Sequence, residues 1–345
     1  QVGEFHHNED FINGSNGNAS EHAVFKGPLG FSFDIRDTFA VPGIARNAEM
    51  MNEAWQRSQY ACDVDGIVSV DPVFIQKMVE INGNVTLENG TVLTSENTAE
   101  YMLNTIYKEV PVSLQDTYFE YIASTIMNKA FSNMDIAKMM KVAQSIGELT
   151  KNRHFYAYTF HDDEAKYFQG AGLAKGTPNS ETDPEVGIYL NEQNPSKLGW
   201  YIDRKAQITK TGQNADGSKT YHVTYTLTNT LTSSEMATCT GYILGGEQAG
   251  VTGKPVAAPG TSAQRMLFYA PKGGSISEIT SSGDVRDQSN AVMDDQKLVT
   301  NVAYIAPGES VTFDFDVTTS PKAESDLTID QTPSGKMTNE VNYQY

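Results

Sequence analysis

Residues Asp65–Val85 read DGIVSVDPVFIQKMVEINGNV, a strand that runs directly into a helix. Ile67, Val68 and Val70 are β-branched and apolar, the composition of a buried central strand. Asp71 offers a side-chain oxygen to the free amides of a helix start. Pro72 takes the first helical position, where its missing N–H costs nothing. Ile75, Met78 and Val79 recur on one helical face, and Gly83 stands where a left-handed residue ends the helix. The first half of the chain is therefore expected to be α/β.

Working toward the N-terminus, Phe31–Ala40 reads FSFDIRDTFA. Phe31, Phe33 and Ile35 alternate with Ser32, Asp34 and Arg36, which predicts a half-buried strand broken by Pro42-Gly43. Ala45–Tyr60 predicts a helix with Met51 and Trp55 on one face and Arg46 and Arg57 solvated. Toward the C-terminus, Asn84–Leu93 predicts a hairpin turning at Glu88-Asn89-Gly90. Thr94 is expected to cap a helix through Ala99, Met102, Leu103 and Ile106. Ser113 is expected to cap a second, with Phe119, Ile122, Ile126 and Ala130 inside. A third runs from Asp135 to Leu149 with Ile136, Met139, Met140 and Ala143 as core packing. Phe155–Phe160 reads as a strand, Asp162–Phe168 as a short helix, Gly170–Pro184 as a loop and Val186–Leu190 as a strand.

From Trp200 the period changes. Tyr221, Val223, Tyr225 and Leu227 alternate with His222, Thr224, Thr226 and Thr228, and Val311, Phe313, Phe315 and Val317 alternate with Thr312, Asp314 and Asp316. Such strands bury one face and wet the other. Turn signals at Asp216-Gly217, Pro271–Gly274 and Ala306-Pro307-Gly308 separate them. The expected architecture is an α/β domain over residues 1–192 followed by an antiparallel β-sandwich over 193–345, with the boundary near Glu192.

The 345 residues carry a net charge of −18, with no cluster of Lys and Arg. That argues against nucleic acid and against an anionic membrane surface as partners. Cys62 and Cys239 make neither a metal site nor a disulfide framework, and leave one inter-domain disulfide open. No apolar run approaches the ~18 residues of a membrane span. The sequence shows no signal peptide; it opens on strand-like QVGEF, which leaves open an export segment removed before Gln1.

Motifs that promise chemistry weaken on inspection. HHNED at His6–Asp10 places adjacent histidines on opposite faces of any strand and reads as a surface loop. HDDE at His161–Glu164 reads as acidic residues at a helix start. DVDG at Asp63–Gly66 begins like a calcium loop, but Ser69 and Val70 already lie in the strand and no closing Glu follows. His222 reads as surface decoration. No phosphate loop, dinucleotide fingerprint, HExxH, GxSxG or CxxC is present.

Three stretches carry a resemblance: VDGIVSVDPVFIQKMVEINGNV at Val64–Val85, IRDTF at Ile35–Phe39, and DPEVGIYLNEQNPSKLGWYIDRKAQI at Asp183–Ile208. They resemble an uncharacterised family, domain of unknown function 4012, found in envelope-associated proteins of actinobacteria and other Gram-positive bacteria. Members of that family usually carry an N-terminal membrane helix and an earlier glycine-rich strand region, which this sequence lacks.

More distantly, the first half resembles the LytR–CpsA–Psr cell-wall ligases. Those enzymes hold a polyprenyl pyrophosphate with several arginines, and Arg36-Asp37-Thr38-Phe39 is similar to their strand motif. The stretch matching their arginine-rich helices, Tyr101–Ile122, contains no arginine and only Lys108 as a cation. A departing pyrophosphate needs bidentate arginines or a metal to neutralise it.

The resemblance thus implies an extracellular, cell-envelope protein with a binding or structural role on a ligase-like scaffold. An alternative is a glycan phosphotransferase acting on polyprenyl-pyrophosphate-linked substrates. It would use Arg36 and Asp37 catalytically, a Mg²⁺ or Ca²⁺ ion at Asp37, and Arg36, Arg46 and Arg57 to bind ligand. A third reading is adhesion through the sandwich. The implied partners are cell-wall glycan or polyprenyl-linked glycan, with a membrane reached only through a missing N-terminal segment.

Overall fold

A computed structural model describes residues 5–11, 14–26, 31–132, 135–245 and 257–345. The chain is a mixed α/β protein with several sheets, two of them large. It forms two compact units. One comprises Gln1–Asn16, Ser32–Lys175 and Pro333–Thr338; the other comprises Gly17–Phe31, Gly176–Thr332 and Asn339–Tyr345.

In the first unit, β1 (Gly66–Val70) leads into a helix at Pro72–Asn82. The Asp71 carboxylate accepts from the Phe74 amide at 2.9 Å, Pro72 opens the first turn, and Gly83 ends the helix at φ +81°. Val73, Phe74, Ile75, Met78 and Val79 are buried. β1 itself is not a buried central strand. Among the described residues it pairs only with β4 (Phe155–Thr159), antiparallel from Gly66↔Thr159 to Val70↔Phe155, and Val68 is 65% exposed. Its β-branched run reflects fit to an extended backbone, not burial.

That ladder depends on Gly66. A Cβ there would lie 2.3 Å from the backbone oxygen of Tyr158. Gly66→Ala is expected to force β1 from β4 at a cost of about 1–3 kcal/mol. Amide hydrogen exchange reads this as lost protection at Ile67–Val70, with the helix at Val112–Phe131 unchanged.

β2 (Val85–Thr86) and β3 (Val92–Leu93) form the expected hairpin, with Gly90 at φ +86°. Other helix starts differ from expectation. The Thr94 hydroxyl accepts from the Glu96 amide, but the helical segment begins at Thr98. The helix at Val112–Phe131 starts behind Pro111, which puts Ser113 inside its first turn. In the helix at Ile136–Lys151, Asp135 accepts from the Lys138 amide. Its buried stripe runs through Val142, Ser145 and Leu149. That stripe is turned about 100° from the expected one, so Ile136, Met139 and Met140 are exposed. The unit's core gathers Phe74, Met78, Leu93, Met102, Ile106, Ile122, Ile126 and Leu149.

The second unit contains β5 (Glu185–Glu192), β6 (Ile202–Gln213), β7 (Lys219–Asn229), β8 (Ser262–Tyr269), β9 (Ser275–Ile276), β10 (Thr280–Ser282), β11 (Asp284–Met293), β12 (Gln296–Ile305), β13 (Ser310–Thr318), β14 (Thr328–Gln331) and β15 (Glu340–Gln344). One sheet has the order β11-β12-β8-β5-β14; the other has β10-β13-β7-β6-β15, with β9 also on β13. Val186, Ile188, Met266, Phe268 and Ile305 from the first share one core with Ile208, Tyr225, Phe313 and Phe315 from the second. The sheets are not wholly antiparallel, because β14 runs parallel to β5 and β15 parallel to β6. Both are late strands reached through connections long enough for a parallel return. The expected boundary at Glu192 coincides with the end of β5, which hydrogen-bonds to β8, and the compact units exchange between Lys175 and Gly176.

Candidate functional site

The sequence placed a site on Arg36, Asp37, Arg46 and Arg57. The segment of Arg36 and Asp37 is not a strand but a tight loop followed by a single 3₁₀ turn at Thr38–Ala40, whereas Arg46 lies in the helix at Ile44–Gln56 and Arg57 caps its end. Asp residues bend the loop, because a short carboxylate reaches its own neighbouring amides. Asp37 Oδ2 accepts from the amides of Ser32 (2.8 Å) and Phe33 (3.0 Å), and Phe33 is held at φ +51° with its ring fully buried. Asp34 Oδ1 accepts from the backbone N–H (3.0 Å) and Nε (3.0 Å) of Arg36, and its Oδ2 from Arg36 Nη2 at 2.6 Å. Arg36 is thus clamped by the residue two before it, and Asp37 closes the loop.

The other two arginines meet at Asn16, which is 5% exposed. Arg46 Nη2 donates to the Asn16 carbonyl at 2.8 Å, and Arg57 Nη2 donates to its side-chain oxygen. Asn16 in turn donates through its backbone and side-chain nitrogens to the Phe33 carbonyl at 3.0 and 2.9 Å. The structure therefore gathers the predicted residues around one loop, but spends their donors on backbone and side-chain oxygens. The geometry is that of a latch.

Burial pushes the Asp34 carboxyl up, but the hydrogen bonds from Arg36 and Ser32 outweigh this and hold it below its ordinary value. A depressed carboxylate contributes stability above the unfolded value of about 3.9 and loses it as pH falls through the folded one. Asp34→Asn is expected to melt below wild type at neutral pH, with the gap closing below about pH 4. Thermal melts across pH check this.

The remaining sequence candidates are structural or superficial. Among the described residues, no group of three or more His, Cys, Asp and Glu is placed to hold a metal ion. His6 packs its ring on Tyr60, and His161 Nε2 lies 2.9 Å from Asp65 Oδ1 at the surface. His222 lies against Asp316 (2.9 Å) and Asp314 (3.5 Å), so it bridges carboxylates on the wet face. Cys62 and Cys239 are free thiols, so the disulfide left open by the sequence is not formed.

A constellation that motif reading missed lies in the second unit. The β11–β12 register shifts between Arg286 and Ser289, where Asp287 sits at φ +58°. Such a bulge re-aims the side chains beside it. It borders a cavity of about 660 Å³ whose walls include Lys26, Gln193, Arg265, Asp287, Ser289, Asn290 and Thr300. Arg265 is 5% exposed. Its Nη2 donates to the Lys26 carbonyl at 3.0 Å, Nη1 reaches Thr300 Oγ1 only at 3.4 Å, and Nε has no partner among the described residues. No carboxylate forms an ion pair with it among the described residues. Burial pulls its pKa down and the charge of Asp287 pulls it back, yet a guanidinium does not give up its proton in a protein. Gln193, 1% exposed, has neither amide atom paired among the described residues.

Next to it, Glu192 is half-buried with its carboxylate turned inward onto β8. Its carboxylate accepts from Ser262 Oγ (2.6 Å), the Ala263 amide (2.8 Å), Gln264 Nε2 (2.9 Å) and the Asn194 amide (3.0 Å). Burial pushes its pKa up against those bonds. The one sequence signal for this region was an arginine inside SAQRMLFY, a strand buried on both faces. A charge in such a strand needs a reason.

Residues 1–107, less than a third of the chain, are similar to the family whose model is described as protein of unknown function (DUF4012). No curated protein matches the chain. Among solved structures, the chain is similar to a candidate nutrient binding protein from Legionella pneumophila, at 14% identity and a TM-score of 0.22. The match covers 41% of this chain and 45% of that one, so it spans less than half of that protein's length.

Proposed function

We propose that the chain is a non-catalytic binding protein of the cell envelope, and that it binds its partner, a wall glycan, in the cavity beside Arg265. The observation that carries this reading is a buried guanidinium with unused donors and, among the described residues, no carboxylate in ion-pair contact, set in a cavity of about 660 Å³ with Asp287 on its wall. That volume is in the usual range of a few hundred to about 1,000 Å³ for small-ligand sites. An extracellular location agrees with the net charge of −18 and rests on the resemblance to envelope-associated proteins.

The ligase-like alternative draws less support. Its transfer chemistry asks for several free cations around a pyrophosphate, whereas Arg36, Arg46 and Arg57 are engaged by Asp34 and Asn16. Melting of the full chain separates the two readings. Soluble wall-glycan fragments are expected to raise the melting temperature, and Arg265→Met to abolish the shift, since a ligand bound at a hundred times its Kd adds about 2.7 kcal/mol. A short-chain polyprenyl pyrophosphate with Mg²⁺ is expected to produce no shift. A pyrophosphate shift lost in Arg36→Ala, with none from the glycan, overturns the proposal.

A further inference from the structure

We infer that the cavity beside Arg265 takes a carboxylate-bearing sugar, a uronic-acid-like unit. The inference rests on the binding role proposed above and adds the chemistry of the ligand.

The wall of the cavity has two kinds of polar group. The first is cationic. A guanidinium has five N–H donors, and Arg265 commits one at 3.0 Å and a second only at 3.4 Å. A single planar guanidinium matches a carboxylate edge to edge, and such paired charge-assisted bonds are among the strongest available.

The second kind is the acceptor and hydroxyl set on β11. Asp287, Ser289 and Asn290 line the same cavity, and the bulge at Arg286–Ser289 brings Asp287 to it. A carboxylate accepts from neighbouring hydroxyls, and Ser and Asn side chains both give and accept. This half of the wall suits a polyol and repels a second negative charge. The pairing disfavours a phosphate dianion, which one arginine beside an aspartate neutralises poorly. It also disfavours a purely apolar acid, which would leave Asp287, Ser289 and Asn290 facing hydrocarbon. A sugar with one carboxylate answers both halves.

Isothermal titration of the full chain with D-galacturonate, D-galactose and propionate tests this. Galacturonate is expected to bind at least about tenfold more tightly than either of the others, because only it carries both groups. Arg265→Met is expected to make galacturonate no better than galactose. Because Arg265 is buried and its loss risks misfolding, Asp287→Asn provides the second variant, at an exposed position where asparagine tolerates positive φ. It is expected to weaken galacturonate and galactose together and to leave propionate unchanged.

A trigalacturonide that binds more tightly than the monomer assigns the sugar to a polymer, and equal affinity assigns it to a free acid; either supports the inference. Galactose or propionate equal to galacturonate overturns it, as does L-leucine, a zwitterion without hydroxyls, binding better than all three. If the uronate fails while wall-glycan fragments still raise the melting temperature through Arg265, the chemistry falls and the binding role stands. If no probe binds, both fall.

Discussion

Phe313→Ala is expected to lower the stability of the sheet-rich unit by about 3–5 kcal/mol, the cost of emptying an aromatic site in a close-packed core. Phe313 is fully buried on β13 and meets Phe268 of β8 edge to face, with ring centroids 5.2 Å apart. Those strands belong to different sheets, so the pair joins the two layers where they share a core. Its neighbours Tyr225, Phe315 and Val223 sit on a rigid ladder and have little freedom to fill the space. Urea unfolding followed by circular dichroism is expected to show a lower midpoint at an unchanged slope. A loss below about 1 kcal/mol would mean that the layers can close over the gap.

Glu192→Ala is expected to cost about 3 kcal/mol or more, since each buried donor left without an acceptor costs about 1–3 kcal/mol. The mutation removes the acceptor of the Ala263 and Asn194 amides and of Ser262 Oγ, while Gln264 Nε2 keeps its bond to Ser262 Oγ at 2.8 Å. Glu192→Gln retains one acceptor oxygen and is expected to fall between. The pH dependence has a definite sign. Burial raises the folded pKa of Glu192 above its unfolded value. The folded state therefore binds the proton more tightly, and the contribution of Glu192 declines as pH rises through that window. The penalty of Glu192→Ala is expected to be larger at mildly acidic than at mildly alkaline pH. Chemical denaturation at both pH values measures it.

Local signals in the sequence were strong where one residue decides one geometry. Asp71, Pro72 and Gly83 marked the ends of a helix because capping, a fixed φ and a positive φ are each nearly residue-specific. The alternation in β7 and β13 was legible because one face of each strand is buried and the other wet. Phe31–Ala40 failed for a different reason. Its alternating pattern is real, but Asp34 and Asp37 capture the amides of Arg36, Ser32 and Phe33, and local hydrogen bonding overrides a period of two. The exposure of Val68 was hidden because β-branched residues mark an extended backbone whether or not a second layer covers it.

The candidate site was less legible still. Arg36, Arg46 and Arg57 drew attention because pyrophosphate chemistry needs arginines, but whether a cation is free depends on partners such as Asn16, which sequence spacing does not reveal. Gln193 just past the end of β5, Arg265 on β8 and Asp287 on β11 line one cavity, and no local motif connects residues so far apart in the chain.

Hydrogen–deuterium exchange of the full chain, with and without soluble wall-glycan fragments, tests the central claim most directly, because it locates the binding surface without a mutation. Protection is expected in peptides that span Asp287–Val292 and in those that contain Gln193 and Arg265. Protection confined to Ser32–Arg57, with the β11 bulge unchanged, would contradict the account and return the function to the arginine loop.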